Sequence, residues 1–447
     1  MIIPSTMGDP TQSLPETYLN PRTLPLSMKG MVIGAGAAGL VTSRLLAEHG
    51  LGVELYERNP DVYTHFTGEL TGKPALEFFD GDAIDNRLTN ARIVSLDSGR
   101  EIDVSTNLSL LSADRLKLSL LEQAEAAGVK THFGSPVREV RKRSNALLPG
   151  SRVAKGLQGG DIAVVVGEDR RRCDLVVGCD GGNSMVARDH FPDPGLKLLK
   201  AIRFKLRGAH GLDVTTAYFF IGKDVGLGYL WCYPRTDRDL NVGIGSIDKG
   251  PLTPLLEKFI SGRFNGLGKR KIGGGHELRI IARGGDSIPY TGLRRSIAIR
   301  DMALVGNSAG QVSSLLGGGL EASFQGARTL VDSIHGDYEF DPDQYVRSYL
   351  ETYPRIQRSA RLIAPLLAVN ASGNLFSHME RFMEFIGGEN IKQVVADGTV
   401  KRSISKMILR HPLQALQIIR DHRRGRRILR TLHSSFDPSL SKESDRS

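Results

Sequence analysis

The segment Asp301–Ala322, DMALVGNSAGQVSSLLGGGLEA, holds residues whose types and spacing allow two chemistries. Gly306-Asn307-Ser308-Ala309-Gly310 spells G-x-S-x-G, the turn on which many serine hydrolases carry their nucleophile. The same residues also read as a strand (Met302 to Val305), a tight turn, and a helix opened by Gly317-Gly318-Gly319 (Leu320 to Ile334). That order suits a loop that grips a phosphate or a flavin through backbone N–H groups. A hydrolase needs an acid and then a histidine further along the chain. Asp332 or Asp343 with His378 or His411 could formally serve, yet none sits in a recognisable setting. No HGGG-type oxyanion loop lies upstream, and the glycine run at Gly273 precedes its histidine instead of following it. Ser308 is therefore read as a turn residue, and the segment as a cofactor loop.

A second glycine motif supports that choice. Lys29–Arg58, KGMVIGAGAAGLVTSRLLAEHGLGVELYER, begins with a short apolar strand at Met31-Val32-Ile33. Gly34-x-Gly36-x-x-Gly39 turns it into a helix with apolar positions at Leu40, Val41, Leu45 and Leu46. A strand from Val53 to Tyr56 ends at Glu57 and Arg58. The glycines allow the turn, the approach of a pyrophosphate and tight helix–strand packing. The helix N-terminus offers unpaired N–H groups and the positive end of its dipole. Glu57, about twenty residues on, is placed to accept from a ribose hydroxyl. A plain βαβ unit without ligand would share the glycines, but strand, turn, helix, strand and acid all occur here in order.

These motifs need a scaffold, and the bulk numbers say what kind. A chain of 447 residues suits two or three domains. With 40% hydrophobic and 24% charged residues it has the balance of a globular protein rather than a disordered or fibrous one. No apolar run reaches the roughly 20 residues that span a bilayer. Cys173, Cys179 and Cys232 lack the spacing of a zinc site and are too few for a disulfide framework, so a reducing compartment is expected. Residues 1–27 are rich in Pro, Ser and Thr, lack the apolar stretch of a signal peptide, and read as a disordered lead.

Further along, Leu111–Gly128 reads as an amphipathic helix capped by Ser112 or Asp114. Val176-Val177-Gly178 reads as a buried strand, followed by a sharp turn at Asp180-Gly181-Gly182. Four short alternating runs between 200 and 248, AIRFKLRG, TAYFFIG, GYLWCYPR and LNVGIGS, read as strands. Tyr229, Trp231 and Tyr233 alternate along one of them, so they share a face. That face suits either an ordinary sheet core or an apolar ligand. From Asp341 onward the signal is helical and increasingly basic, with ten Lys/Arg against Asp421 alone between Lys401 and Arg430. Such a helix could lie on an anionic membrane surface or pack, solvated, on the core. No recognition pattern accompanies the charge, so no nucleic-acid partner is expected. The expected place is cytoplasmic, peripheral to the inner face of the membrane.

Four segments in this order resemble the p-hydroxybenzoate-hydroxylase-type FAD proteins: G-x-G-x-x-G with Glu57, the Asp114-Arg115 helix start, Asp180-Gly181 with Ser184 and Arg188, and Gly306 to Leu320. Within that superfamily the chain is similar to the geranylgeranyl reductases, including the archaeal digeranylgeranylglycerophospholipid reductases. GYLWCYPRTDRDLNVGIGS resembles their Y-x-W-x-F-P-K segment with V-G-x-G. LVGNSAGQVSSLLGGGLEA resembles their L-V-G-D-A-A-G…P-x-T-G-G-G-I. The block from Gly68 to Ile93 resembles the one after their C-G-E-G. The likeness runs from about Lys29 to about Leu330.

It implies an α/β fold in which a Rossmann-like FAD-binding domain (28–190 and 285–340) is interleaved with an antiparallel substrate domain (60–110 and 191–284), followed by helices in 341–447. It implies that Ala38 and Gly39 meet the pyrophosphate and Glu57 the ribose. Arg115 and the backbone near Val140 would touch FAD. Asn307 would meet the ribityl–phosphate part, and Gly319 and Leu320 the flavin ring. Arg58, Gly68 and Asp180 join Gly34 and Gly36 as cofactor contacts, and Tyr229, Trp231 and Tyr233 would line a prenyl tunnel. Three departures stand out. The family's aspartate is Asn307, its cysteine is Thr67, and its Pro and Thr before the glycine run are Ser314 and Leu316. The implied activity is reduction of C=C bonds in a prenyl lipid, with NADPH or a separate electron-donor reductase as partner. The alternative is an FAD-dependent monooxygenase acting on an aromatic or polyketide-like molecule.

Overall fold

A computed structural model describes residues 28–63, 69–142, 162–262, 277–314, 316–336, 339–358 and 360. The lead at 1–27, Thr67 and Gly68, and the basic stretch Lys401–Arg430 lie outside the described residues.

The buried apolar runs Met31–Ile33, Val53–Tyr56, Leu175–Gly178 and Met302–Leu304 make the centre of a mostly parallel sheet. Its strands are Ala298–Ile299, Met302–Leu304, Leu175–Gly178, Lys29–Ile33, Gly52–Tyr56 and Lys130–His132, in that spatial order. All neighbours pair in parallel except Ala298–Ile299, which runs against Met302–Leu304. The six described helices are α1 (Ala37–Glu48), α2 (Ala113–Ala126), α3 (Met185–His190), α4 (Leu252–Ile260), α5 (Leu320–Val331) and α6 (Pro342–Thr352). One apolar core joins the parallel sheet to α1, α2, α3, α5 and α6.

The second layer is an eight-stranded sheet. Its spatial order is Arg279–Pro289, Leu198–Arg207, Asp239–Ser246, Gly228–Pro234, Thr216–Ile221, Ile84–Ser95, Glu101–Leu111 and Leu70–Thr71. Its pairs are antiparallel except Thr216–Ile221 beside Ile84–Ser95, which is parallel. One face packs on α4 through Leu230, Cys232 and Phe259; the other carries Tyr229, Trp231 and Tyr233. The two faces follow from strict alternation along Gly228–Pro234. A three-stranded meander (Val137–Lys142, Ile162–Val166, Asp169–Cys173) completes the described sheets with a small hairpin at Ile334–His335 and Glu339–Phe340.

The expected mixed α/β architecture is the one observed. The four runs between 200 and 248 are strands, and Ser112 is the cap of α2, its side chain accepting from Arg115 N at 3.4 Å. One boundary differs: the helix after the glycine run stops at Val331 rather than Ile334. Ser333 Oγ donates to Thr329 O, and Ile334 leaves to pair with Phe340. A side chain that offers the backbone an alternative partner favours helix ends.

Candidate active site

Three turns from distant parts of the chain meet at the carboxyl ends of the central parallel strands. Gly34 has φ +100°, a conformation that disfavours any other residue, and a Cβ there would stand 2.6 Å from Cys179 O and 3.0 Å from Asp180 Cα. The Gly34 turn therefore abuts the Cys179-Asp180 turn. A Cβ on Gly306 would lie 2.8 Å from Ala38 Cβ, so the late glycine turn abuts the first turn of α1.

The serine of the G-x-S-x-G run is a structural residue. Ser308 is fully buried, and its Oγ lies 2.6 Å from Gly178 O and 2.8 Å from Val305 O. A hydroxyl spent on backbone carbonyls with no solvent access is no nucleophile. Two residues that no motif pointed to brace the same turn. Gln311 Oε1 accepts from Gly306 N at 2.7 Å, while its Nε2 donates to Tyr345 Oη at 3.0 Å. Arg294 Nε donates to Ser308 O at 2.6 Å. Each also reaches a distant partner, Gln311 to Tyr345 and Arg294 to Phe191 O, which spacing cannot reveal.

The expected cofactor residues are placed as follows. Glu57, 2% exposed, accepts from Ala35 N at 2.8 Å and from Asn59 N at 2.7 Å, tying the end of its strand to the glycine turn. Arg58 is exposed. Asp180 Oδ2 accepts from Met185 N at 2.7 Å and Val186 N at 3.3 Å, holding the start of α3. Its Oδ1 is buried without a hydrogen-bond partner, and burial raises its pKa. Arg115 turns to Asp85 in an ion pair and stands half exposed. Val140 is buried in the meander, its carbonyl 2.9 Å from His190 Nε2. A Cβ on Gly319 would stand 3.4 Å from Asn307 Oδ1, so that amide lies over the start of α5. Leu320 opens α5.

Do these residues fit an FAD? The helix N-termini that follow the two glycine turns, those of α1 and α5, carry no side-chain cap. Their first-turn N–H groups have no intrahelical acceptor, which leaves donors for anionic groups. A Cβ on Gly36 would meet nothing within 4 Å, so the backbone there faces open space. The orphaned Asp180 Oδ1 calls for a donor such as a sugar-chain hydroxyl. The donor set, the open cradle and the orphan oxygen suit a dinucleotide.

The aromatic face reaches this cluster directly. Tyr229 Oη donates to Leu316 O, immediately before the glycine run, and burial raises the phenol's pKa. Tyr229, Trp231 and Tyr233 contact one another in sequence and, at both ends, Phe219. On one side Tyr229 faces Gly245 and Trp231 faces Gly243, while Trp231 faces Phe219 on the other. The Trp231 ring lies where a Gly243 side chain would be.

Residues 27–191 match the family model described as FAD binding domain. The chain is an FAD-dependent oxidoreductase and is similar to the geranylgeranyl reductases. It is 25% identical over 309 residues to a digeranylgeranylglycerophospholipid reductase of Methanosarcina acetivorans, covering 65% of this chain and 70% of that one. It is 27% identical over 314 residues to the Methanothrix thermoacetophila protein of the same name, covering 66% and 74%. Among solved structures, a geranylgeranyl bacteriochlorophyll reductase-like protein from Thermoplasma acidophilum shares the fold. The TM-score is 0.64 at 19% identity, covering 88% of this chain and 98% of that one. No described helix is long and apolar enough to cross a membrane.

Proposed function

We propose that this chain saturates C=C bonds of a prenyl chain carried on a lipid. The observation that carries the reading is the join between the aromatic face and the cofactor loop, made by Tyr229 and Leu316. A row of rings that begins at the glycine run gives an apolar chain a path towards the cradle. In this reading the parallel sheet and its helices hold the cofactor, and the antiparallel sheet holds the substrate.

The α1 N-terminus with Ala38 and Gly39 would receive the pyrophosphate, and Glu57 the ribose. Asp180 and Asn307 would meet the sugar chain, and Gly319 and Leu320 the ring. When bound and reduced, FAD supplies a hydride to one alkene carbon while a proton reaches the other, and NADPH or a reduced carrier restores the reduced flavin. Tyr229 and Trp231 would exclude water and hold the alkene in place. With the family's cysteine position occupied by Thr67, the proton must come from another group. Substrate delivery from a membrane remains part of the proposal, and the basic stretch expected to make that contact lies outside the described residues.

The test is to reduce the purified flavoprotein without oxygen and add a geranylgeranyl lipid. Reoxidation together with a product carrying added hydrogen supports the reading. Absence of reoxidation by any prenyl lipid would overturn it, and oxygen-dependent hydroxylation would point to the monooxygenase alternative.

A further inference from the structure

The aromatic face extends sideways across its sheet as well as along one strand. Residues paired across neighbouring strands share a face. Trp231 pairs with Phe219, Phe219 with Ile93, and Ile93 with Ile102, so the four make one row over four strands. Its ends lie three strand spacings apart, about 14 Å. Phe219, Ile93 and Ile102 are only half-buried, although each packs against the buried cluster of the same face, which includes Ala91, Val104 and Ala217. The residues that alternate with them lie on the other face. There Phe220 and Val94 join the core around α4, and Arg92 pairs with Glu101 and Asp103.

The surroundings close every other direction. On the far side of Trp231, Gly243 pairs next with Arg203, which pairs with the carboxylate of buried Glu69. Asn241 Nδ2 donates to the same carboxylate, and Asn241 Oδ1 accepts from Trp231 Nε1 at 3.0 Å. Along the strand, Tyr233 is followed on the same face by Arg235, also paired with Glu69. Beyond Tyr229 lie Gly245, Ala201 and the Leu199–Ile288 pair. At that corner a Cβ on Gly182 would collide with Ser287 O and stand 3.5 Å from Leu198 Cδ2, so the Asp180 turn of the cofactor domain shuts it. Ile102 instead stands on the outer strand Glu101–Leu111, and Leu70–Thr71 pairs there with Leu110 and Ser109 alone. Among the described residues, the Ile102 end therefore reaches the open edge of the sheet.

We propose that Phe219, Ile93 and Ile102 receive the distal part of the prenyl chain, beyond the alkene held at Tyr229 and Trp231, and that Ile93 and Ile102 select for chain length. This rests on the prenyl-chain reading above and deepens it by naming the residues that measure the chain. A half-buried apolar row continuous with the rings at the cofactor loop leaves surface that a flexible hydrocarbon would remove from water. Each added isoprene unit gains contact on the row as far as Ile102, and meets solvent beyond it. A chain laid the other way would bring its hydrocarbon against the paired charges of Arg203, Arg235 and Glu69, where it gains nothing and strains their ion pairs.

Trp231 is the only tryptophan of the chain and stands at the root of the row, so its fluorescence reports occupancy whether or not turnover occurs. The FAD-loaded protein is titrated with geraniol, farnesol and geranylgeraniol. Affinity should rise with length, geranylgeraniol binding at least about tenfold more tightly than geraniol. Ile102→Asp should remove most of the gain from farnesol to geranylgeraniol and leave geraniol unchanged. Ile93→Phe, which fills the row nearer Trp231, should already remove the gain from geraniol to farnesol. Leu199→Ala, in the shut corner, should keep the profile of the unaltered protein. An unchanged profile in both row variants, or a profile flattened by Leu199→Ala instead, overturns the assignment while leaving the reductase reading intact. Equal affinity for all three alcohols in the unaltered protein does the same. Absence of binding by every prenyl alcohol overturns both. If Ile102→Asp does not fold, Ile102→Ala takes its place, with a smaller loss confined to the longest alcohol.

Discussion

A Cβ on Gly306 would stand 2.8 Å from that of Ala38, so the two glycine turns of this chain lie in contact. Beside that contact the backbone at Gly36, at the uncapped start of α1, faces open space.

The glycines of the first turn divide by role. Gly36 has φ −69° and faces open space, so Gly36→Ala should leave the melting temperature nearly unchanged. Its methyl group would intrude where a pyrophosphate approaches, and FAD retention should fall about tenfold or more, which is ~1.4 kcal/mol. Gly34→Ala meets Cys179 O at 2.6 Å in a positive-φ conformation and should destabilise the fold itself. Thermal melts with flavin content on the same samples separate the two; equal behaviour of both variants would refute this division.

Ser308 should resist fluorophosphonate probes under native conditions. Ser308→Ala removes the donor to Gly178 O and should cost about 1–3 kcal/mol in denaturant unfolding. Labelling of Ser308 in the folded protein would return the hydrolase reading to contention.

That residue also shows how far the sequence could be read. Gly306 to Gly310 spells a hydrolase motif, and only its setting excluded that reading. The strand before it, the glycine run after it and the first dinucleotide motif were local patterns with known periods, hence legible. Gln311, Arg294 and Glu69 were not, because each acts on a partner far away in the chain. The meander at Val137–Cys173 was missed for another reason. Its outer strand, DRRRC, has four exposed charged residues in a row and no apolar alternation. The parallel pairing of Thr216–Ile221 with Ile84–Ser95 is likewise set by topology, not by composition.

Asn241→Ala should uncouple Trp231 from Glu69. It leaves the indole N–H without its 3.0 Å acceptor and the buried carboxylate short of a donor. The expected loss is about 1–3 kcal/mol of stability, with a shift in the emission of the single tryptophan. An unshifted spectrum would show that the ring keeps its place without the amide.

Lys117 predicts a pH dependence. Its pKa falls from the usual 10.5 to about 8 because burial disfavours the ammonium. The folded state therefore releases its proton near pH 8, while the unfolded state keeps it to about 10.5. Between those values the unfolded state binds more protons, so this group's contribution to stability rises with pH. Relative to Lys117→Met, the unaltered protein should gain melting temperature from pH 8 to pH 10. Parallel curves for the two proteins would contradict the assignment.

The strand Met302–Leu304 joins a sheet whose other strands begin at Lys29, and it docks directly on Leu175–Gly178. A nascent chain therefore cannot complete its parallel sheet until two-thirds of the polypeptide has left the ribosome. Contacts that must wait for such distant partners are slow to form. Until then the Gly34 turn has no Gly306 opposite it, so synthesis through that late strand must come before the pocket can exist, and truncations short of it should yield aggregation-prone, colourless protein.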